Sequence, residues 1–249
     1  MSISKEILTT ICWLWSALAI IIFVVLQRIT APYGRHTDDK FGIMVDNRMG
    51  WMLMESIGPL IFSYFFFNGS TEKTTLHYLF LILYILHYLN RAIIFPLRIK
   101  TQGKKMPLMI VVSAIFFNVI NGTLNGLWLG NYTNSFSKVY MAIGLTIFTI
   151  GVIINVTSDN ILLSLRKPGE TGYKIPQGGL FKWVSCPNLF GEIVEWIGYC
   201  IANPNPATIS FAIWTFCNLS PRAQAHHKWY LNKFSDYPKV RKAVIPKVW

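Results

Sequence analysis

Charge is scarce in this 249-residue chain: Asp, Glu, Lys and Arg make up 14% of it, against about 25% in an ordinary soluble domain. So few charges cannot coat a water-facing surface, which excludes a soluble enzyme. Cysteine is scarce too. The four present, Cys12, Cys186, Cys200 and Cys217, form no C-x-x-C pair and have no histidine at ligand spacing. A disulfide scaffold is excluded and reduced packing residues are expected. G-x-G-x-x-G, P-loop and H-E-x-x-H patterns are missing, as are internal repeats and low-complexity tracts, so no soluble nucleotide or zinc module is appended. Hydrophobic residues reach 53%, aromatics 15% and the mean hydropathy +0.40, which excludes disorder.

A bilayer core needs roughly 20 mostly apolar residues in helical form. Seven segments fit, near 9–27, 51–67, 75–97, 107–129, 140–163, 180–202 and 206–219. The sixth is interrupted by Cys186-Pro187-Asn188 and the seventh is short; six spans, with 180–202 in the interface, is the alternative. The first has too long an apolar core for a cleaved signal peptide. With seven spans, every Lys and Arg except Lys5, Lys73, Lys138 and the intramembrane Arg91 falls on one side. The net charge of +12 thus follows topology, and nucleic-acid binding is not expected. The asymmetry puts the C-terminus in the cytosol and the N-terminus outside. The expected fold is all-α, a single seven-helix domain over residues 1–249 that includes a basic tail, 221–249. The lysine run from Lys239 to Lys247 in that tail reads as a lipid-headgroup patch. The setting is a bacterial inner membrane, or the endoplasmic reticulum in a eukaryote.

Polar residues at bilayer depth are costly, so each calls for a partner or a function. Asn155, Asp159 and Arg166 share one helical face, as do Asn188, Glu192, Glu195 and Tyr199. Arg222, His226 and Tyr230 make a third stripe, and Asn118, Asn121 and Asn125 a fourth. Four such stripes cannot all face lipid, and convergence on an interior chamber is expected. Each has a plainer reading. The asparagines, beside Gly122 and Gly126, suit interhelical hydrogen bonds, and the acids of spans five and six suit structural ion pairs. His226-His227 lacks further ligands at a recognisable spacing, so no metal site is expected. Deeper lie Glu55 and the stretch His87-Tyr88-Leu89-Asn90-Arg91. An acid, a phenol and a cation at similar depth suit polarising a carbonyl or moving a proton, although a satisfied structural cluster accounts for the spacing too. The residues reach a polytopic protein with a deep acid–Tyr cluster and a basic, polar chamber suited to an anionic cofactor. They name no reaction.

These residues lie within longer matches. Ala31-Pro32-Tyr33-Gly34-Arg35-His36, His87-Tyr88, Asn155 to Asp159, Arg166-Lys167-Pro168-Gly169-Glu170 and Tyr173-Lys174-Ile175-Pro176-Gln177-Gly178-Gly179-Leu180-Phe181 recur in order. So do the stretch from Asn188 to Tyr199 and the tail motif Arg222-Ala223, His226-His227, Tyr230-Leu231, Asp236-Tyr237-Pro238-Lys239 and Arg241-Lys242-Ala243. In these stretches the chain resembles the steroid 5α-reductases, membrane oxidoreductases that use NADPH. The resemblance implies seven transmembrane helices, a steroid or related lipid substrate entering from the membrane, and NADPH entering from the cytosol. It gives Glu55 and Tyr88 as the catalytic pair on the 3-oxo group of a Δ4-3-ketosteroid. It gives Asn155, Asp159, Arg166, Tyr173, Asn188, Glu192, Trp196, Arg222, His226 and Tyr230 as cofactor-binding. A monomer is expected.

Two departures from the family pattern stand out. Met54 replaces the usual Gln before the catalytic acid; a thioether donates no hydrogen bond, so another group must orient Glu55, or the substrate contact differs. Lys100-Thr101-Gln102-Gly103-Lys104-Lys105 replaces a usual Asn-Arg-Gly-Arg but stays cationic. The implied reaction is conjugate reduction of an enone, with Tyr88, hydrogen-bonded to Glu55, donating to the developing enolate oxygen. The rivals are a membrane reductase of another conjugated lipid (polyprenal, enoyl-CoA or sterol alkene), a methyltransferase of the isoprenylcysteine type, and a transporter.

Overall fold

The computed structural model describes residues 3–100, 103–132, 137–167, 170 and 172–249. Thr101, Gln102, Pro168 and Gly169, which belong to stretches singled out above, lie outside the described residues. The helices are α1 (Lys5–Arg28), α2 (Asn47–Phe67), α3 (Thr75–Leu89), α4 (Phe95–Arg98), α5 (Leu108–Asn131), α6 (Lys138–Ser164), α7 (Pro187–Ala202) and α8 (Pro206–Lys233). A π-helical turn, Asn90–Ile94, joins α3 to α4 without a break. Two three-residue strands, β1 (Met44–Asp46) and β2 (Lys105–Pro107), pair antiparallel just before α2 and α5.

Among the described residues, five stretches are long and apolar enough to cross a membrane: α1, α2, the run Thr75–Arg98, α5 and α6. The protein is an all-α, polytopic membrane protein. Large apolar side chains point outward along these helices; Ile7, Leu14 and Ile21 of α1 are 56%, 66% and 60% exposed at heptad spacing, which is tolerable only against lipid. The weak sixth and seventh segments differ from the sequence expectation. Residues 179–182 form a separate 3₁₀ turn, and α7 starts only at Pro187. Its 16 residues span about 24 Å, short of the roughly 30 Å hydrocarbon core. Helix α8 does not stop near residue 219. It continues through Pro221 to Lys233, so Arg222, His226 and Tyr230 lie on a helix rather than in a tail.

The chain divides into two compact units. One comprises residues 1–15, 32–136 and 205–208; the other comprises 16–31, 137–204 and 209–249. In the first, α2 and α5 run parallel at backbone contact. A Cβ on Gly122, Gly126 or Gly130 would stand 2.7, 2.6 and 2.6 Å from the carbonyl oxygens of Gly58, Phe62 and Phe65. Only hydrogen fits there, and the missing side chains let polar groups bridge the two helices. Lys73, counted above as an external charge, is half-buried. Its ammonium donates to the carbonyls of Gly69, Thr71 and Gly130 at 2.9, 2.5 and 3.0 Å, placing a cation at the C-terminal ends of α2 and α5.

In the second unit α6 and α7 pack antiparallel in the same manner. A Cβ on Gly151 would meet the Glu195 nitrogen at 2.3 Å, and one on Gly191 the Asn155 nitrogen at 2.4 Å. The segment after α8 folds back on the residues before α7. Val184 and Lys242 form a parallel bridge, and the Lys242 and Ala243 carbonyls accept from the Ser185 and Cys186 amides at 2.8 and 3.1 Å. Val244 thereby joins Cys186, Leu189, Ile193, Leu219 and Ala223 in one apolar core.

Candidate active site

Tyr88 sits in the last turn of α3 and is 3% exposed. Its hydroxyl donates to Asn118 Oδ1 on α5 at 3.1 Å, and Asn118 Nδ2 donates to the Met54 carbonyl on α2 at 2.7 Å. One turn before Tyr88, the ring of Tyr84 lies 4.6 Å away, its hydroxyl hydrogen-bonded to Tyr88 and accepting from Asn121 Nδ2 at 3.2 Å. Asn125 in turn donates to the Asn121 side-chain oxygen at 3.0 Å. Half-buried Glu55 lies within electrostatic reach of the Tyr84 phenol. The structure thus brings Glu55 and Tyr88 into one cluster with Tyr84 and three asparagines. The asparagine stripe does form interhelical hydrogen bonds, as its plainer reading had it, and those bonds hold the phenol.

Gly58 stands under this cluster. A Cβ there would approach Asn118 Oδ1 at 3.1 Å and both the Tyr84 hydroxyl and Tyr88 Cε1 at 3.3 Å. Tyr84 and Gly58 escaped the sequence reading, though each shares a helical face with a residue it named: Tyr84 at i−4 from Tyr88, and Gly58 at i+3 from Glu55. Met54 itself is buried against Trp51, Met106 and Val111. Its side chain serves the core, while its carbonyl, the one directly preceding Glu55, is held by Asn118. Arg91 lies in the π-helical turn, 9% exposed, its guanidinium 4.6 Å from the Trp51 ring and 5.1 Å from that of Phe95. Aromatic faces of this kind stabilise a desolvated cation.

The other named residues all belong to the second unit. Asn155 and Asp159, 2% and 3% exposed, face Asn188. Asn155 Nδ2 donates to the Asn188 carbonyl at 3.0 Å, and Asn188 Nδ2 donates to Asp159 Oδ1 at 3.1 Å. Glu192 follows Asn188 by one turn and is half-buried. Trp196 is fully buried between Phe148, Tyr199 and Phe211, the last 4.2 Å away between ring centroids. Arg166 lies over the Tyr173 ring at 4.7 Å and donates through Nε to the Gly172 carbonyl at 2.7 Å. Its terminal nitrogens carry no hydrogen bond among the described residues. Tyr173 packs edge-on to Trp229 at 4.9 Å. On α8, Arg222 donates to Asn218 Oδ1 at 3.2 Å, His226 is half-buried, and Tyr230 stacks on Tyr237 at 5.0 Å and 9°.

Sequence reasoning missed what secures these residues. Ser185 Oγ lies 2.6 Å from His227 Nδ1 and 2.7 Å from the Tyr237 hydroxyl, joining three segments next to His226 and Tyr230. Arg241, 3% exposed, donates to the Pro176 carbonyl at 3.0 Å and to Gln177 Oε1 at 2.9 Å and lies against the Tyr237 ring. It thus ties the loop carrying Tyr173 to the segment beyond α8. Glu170 steadies the other end of that loop through Lys174 at 2.6 Å and the Lys167 amide at 2.9 Å. Two guanidiniums, a carboxylate–amide chain and several flat rings suit an anionic dinucleotide: phosphates on arginine, hydroxyls on carboxylate and amide, heterocycles on rings.

Known proteins resemble the chain over most of its length. The model of the 3-oxo-5-alpha-steroid 4-dehydrogenase family matches residues 104–249. The chain is 41% identical over 232 residues to the steroid 5-alpha-reductase DET2 of Solanum lycopersicum, covering 90% of each. It is 38% identical over 250 residues to 3-oxo-5-alpha-steroid 4-dehydrogenase 1 of Bos taurus, covering 97% of each. Against the human protein of that name it is 37% identical over 248 residues, 97% of this chain and 95% of the relative. Identity at this level over nearly the whole length leaves one conclusion: the chain belongs to the 3-oxo-5-alpha-steroid 4-dehydrogenase family.

Proposed function

We propose that this chain reduces the Δ4 double bond of 3-oxo-Δ4-steroids to 5α-reduced 3-oxosteroids at the expense of NADPH. The observation that supports this most is the Tyr88 phenol held by Asn118 and Tyr84 beside Glu55. When bound, NADPH would supply the hydride that adds to the enone β-carbon, and the α-carbon then takes a proton as the enolate returns to the 3-oxo form. The protein stabilises the charge that develops on the 3-oxo oxygen. Tyr88 donates a hydrogen bond to that oxygen, and Glu55 steadies the donor. Fixed donors in a water-poor site act strongly on developing charge because nothing must reorganise during the step. Asn118 and Tyr84 hold the phenol in place beforehand. Arg166 and Arg222 bind the cofactor's phosphates, and Asn155, Asp159, Asn188 and Glu192 its polar groups. Tyr173, Trp196, His226 and Tyr230 complete the cofactor site. Both compact units act as one reductase domain and as a monomer.

We count α7 and α8 as the sixth and seventh membrane helices, with the N-terminus outside and the C-terminus cytosolic. The distribution of Lys and Arg supports this, and α7, largely covered by protein, need not match the full bilayer thickness. Membranes carrying the protein, given NADPH and testosterone or progesterone, should form the 5α-reduced product where membranes from the same host without it do not. Oxidation of NADPH with a polyprenal or a sterol alkene, and none with either steroid, would move the activity to another conjugated lipid.

A further inference from the structure

Three apolar side chains on the second unit face outward although nothing in their own segments requires it. Trp183, Val240 and Val248 are 50%, 81% and 73% exposed. The bridge between Val184 and Lys242 sets Trp183 beside the segment that bears the two valines. Around them stand Lys182, Lys239, Lys242 and Lys247, all exposed. The Lys247 ammonium lies 5.6 Å above the Trp183 ring, and Lys247 adopts a left-handed backbone, φ 64°, that a lysine seldom takes. The stretches 179–191 and 237–249 hold no Asp or Glu; the nearest acids in sequence are Glu192 and Asp236, each one residue outside. An ordinary solvated face would mix signs and turn its valines inward. Lysines interleaved with an exposed indole and aliphatic side chains have the composition of a membrane-interface surface, where rings and methyls enter the headgroup layer and ammoniums meet phosphates and carboxylates.

We propose that this surface binds the headgroups of anionic phospholipid, and that it seats the Lys239–Val248 segment on the bilayer. The proposal needs the membrane setting of the chain but no assignment of substrate. Its consequence is mechanical. That segment carries Arg241 and directly follows Tyr237 and Pro238, so a seated segment braces the contacts to Ser185 and to the loop of Tyr173.

The test uses the full chain in nanodiscs of phosphatidylcholine containing about 20% phosphatidylserine. Either lipid carries bromine near the headgroup end of its acyl chains, and quenching of tryptophan fluorescence is read. Subtracting the signal of Trp183→Phe isolates Trp183. Brominated phosphatidylserine should quench Trp183 at least about twofold more than an equal mole fraction of brominated phosphatidylcholine, and molar salt should abolish the difference. The variant K182Q/K239Q/K247Q, whose residues are exposed, should keep its thermal midpoint and lose the preference. Equal quenching of Trp183 by the two lipids in the parent protein would overturn the proposal, whatever the variants do. So would a preference that survives in the triple variant.

Discussion

The hydroxyl of Tyr88 and the side-chain oxygen of Asn118 are 3.1 Å apart, and the amide of the same asparagine holds the Met54 carbonyl at 2.7 Å. A single residue of α5 therefore sets the phenol on α3 and the peptide that precedes Glu55 on α2. Asn118→Leu should remove both bonds while keeping the volume close. Each such bond contributes about 1 kcal/mol, so a modest fall in thermal midpoint is expected together with a larger fall in kcat. Asn118→Asp keeps the acceptor for Tyr88 and should retain more activity than the leucine variant. Equal kcat in the two variants would show that the bond to Tyr88 carries no catalytic weight.

Gly58→Ala adds one methyl where Asn118, Tyr84 and Tyr88 leave 3.1–3.3 Å. Those neighbours are tied by hydrogen bonds and give way poorly, so overpacking of about 1–3 kcal/mol is expected. The phenol should move and steroid turnover should drop. Thermal unfolding and kcat measured on the same preparation check both halves.

Glu55→Gln keeps the size of the side chain and removes the acid, and Tyr88→Phe removes only the hydroxyl. Each should lower kcat strongly, and the double variant should be little worse than the poorer single one, because losses within one catalytic unit are not additive. Affinity for NADPH should barely change in any of the three. Steroid turnover surviving both substitutions would leave this cluster structural.

Arg166→Ala and Arg222→Ala should each raise the KM for NADPH, by removing charge-assisted contacts worth roughly 1.5–3 kcal/mol. The penalty should be smaller with NADH for whichever arginine meets the 2′-phosphate. An unchanged KM in both variants contradicts their assignment to the cofactor.

The hydrogen bond from Lys174, and then that from the Lys167 amide, keep the Glu170 carboxyl below its ordinary pKa of 4.5. A depressed carboxylate pKa means that the restraint is complete above the unfolded-state value and is lost as pH falls through the lowered one. The loop of Arg166 and Tyr173 should therefore loosen only in acid, seen as a rise in the KM for NADPH. Glu170→Gln should show the looser behaviour already at neutral pH. The effect should be small, about twofold, since the pair is open to solvent.

Five membrane crossings, the lopsided placement of basic residues and the two sets of polar residues were legible in the chain as written. Hydropathy sums over some 20 neighbouring residues, and helical spacing is local, so both signals survive without knowing what packs on what. The bounds of the sixth and seventh segments were not legible. α7 meets the backbone of α6 through Gly151 and Gly191 and needs less apolar surface of its own, while α8 runs on past Leu219 because its polar face meets protein. Lys73 looked like one more loop charge until three carbonyls from two helix ends surrounded it. The network around Tyr88 rested most on tertiary structure. Asn118 meets Met54, and Gly122 and Gly126 meet Gly58 and Phe62, at one constant offset of 64 residues along two parallel helices. Such a register is set where glycines let backbones touch, and no local pattern in either helix encodes it. The sequence by itself determined which five stretches are apolar enough to cross a membrane and which polar residues the helices carry; close packing of those helices decided which of the polar groups meet.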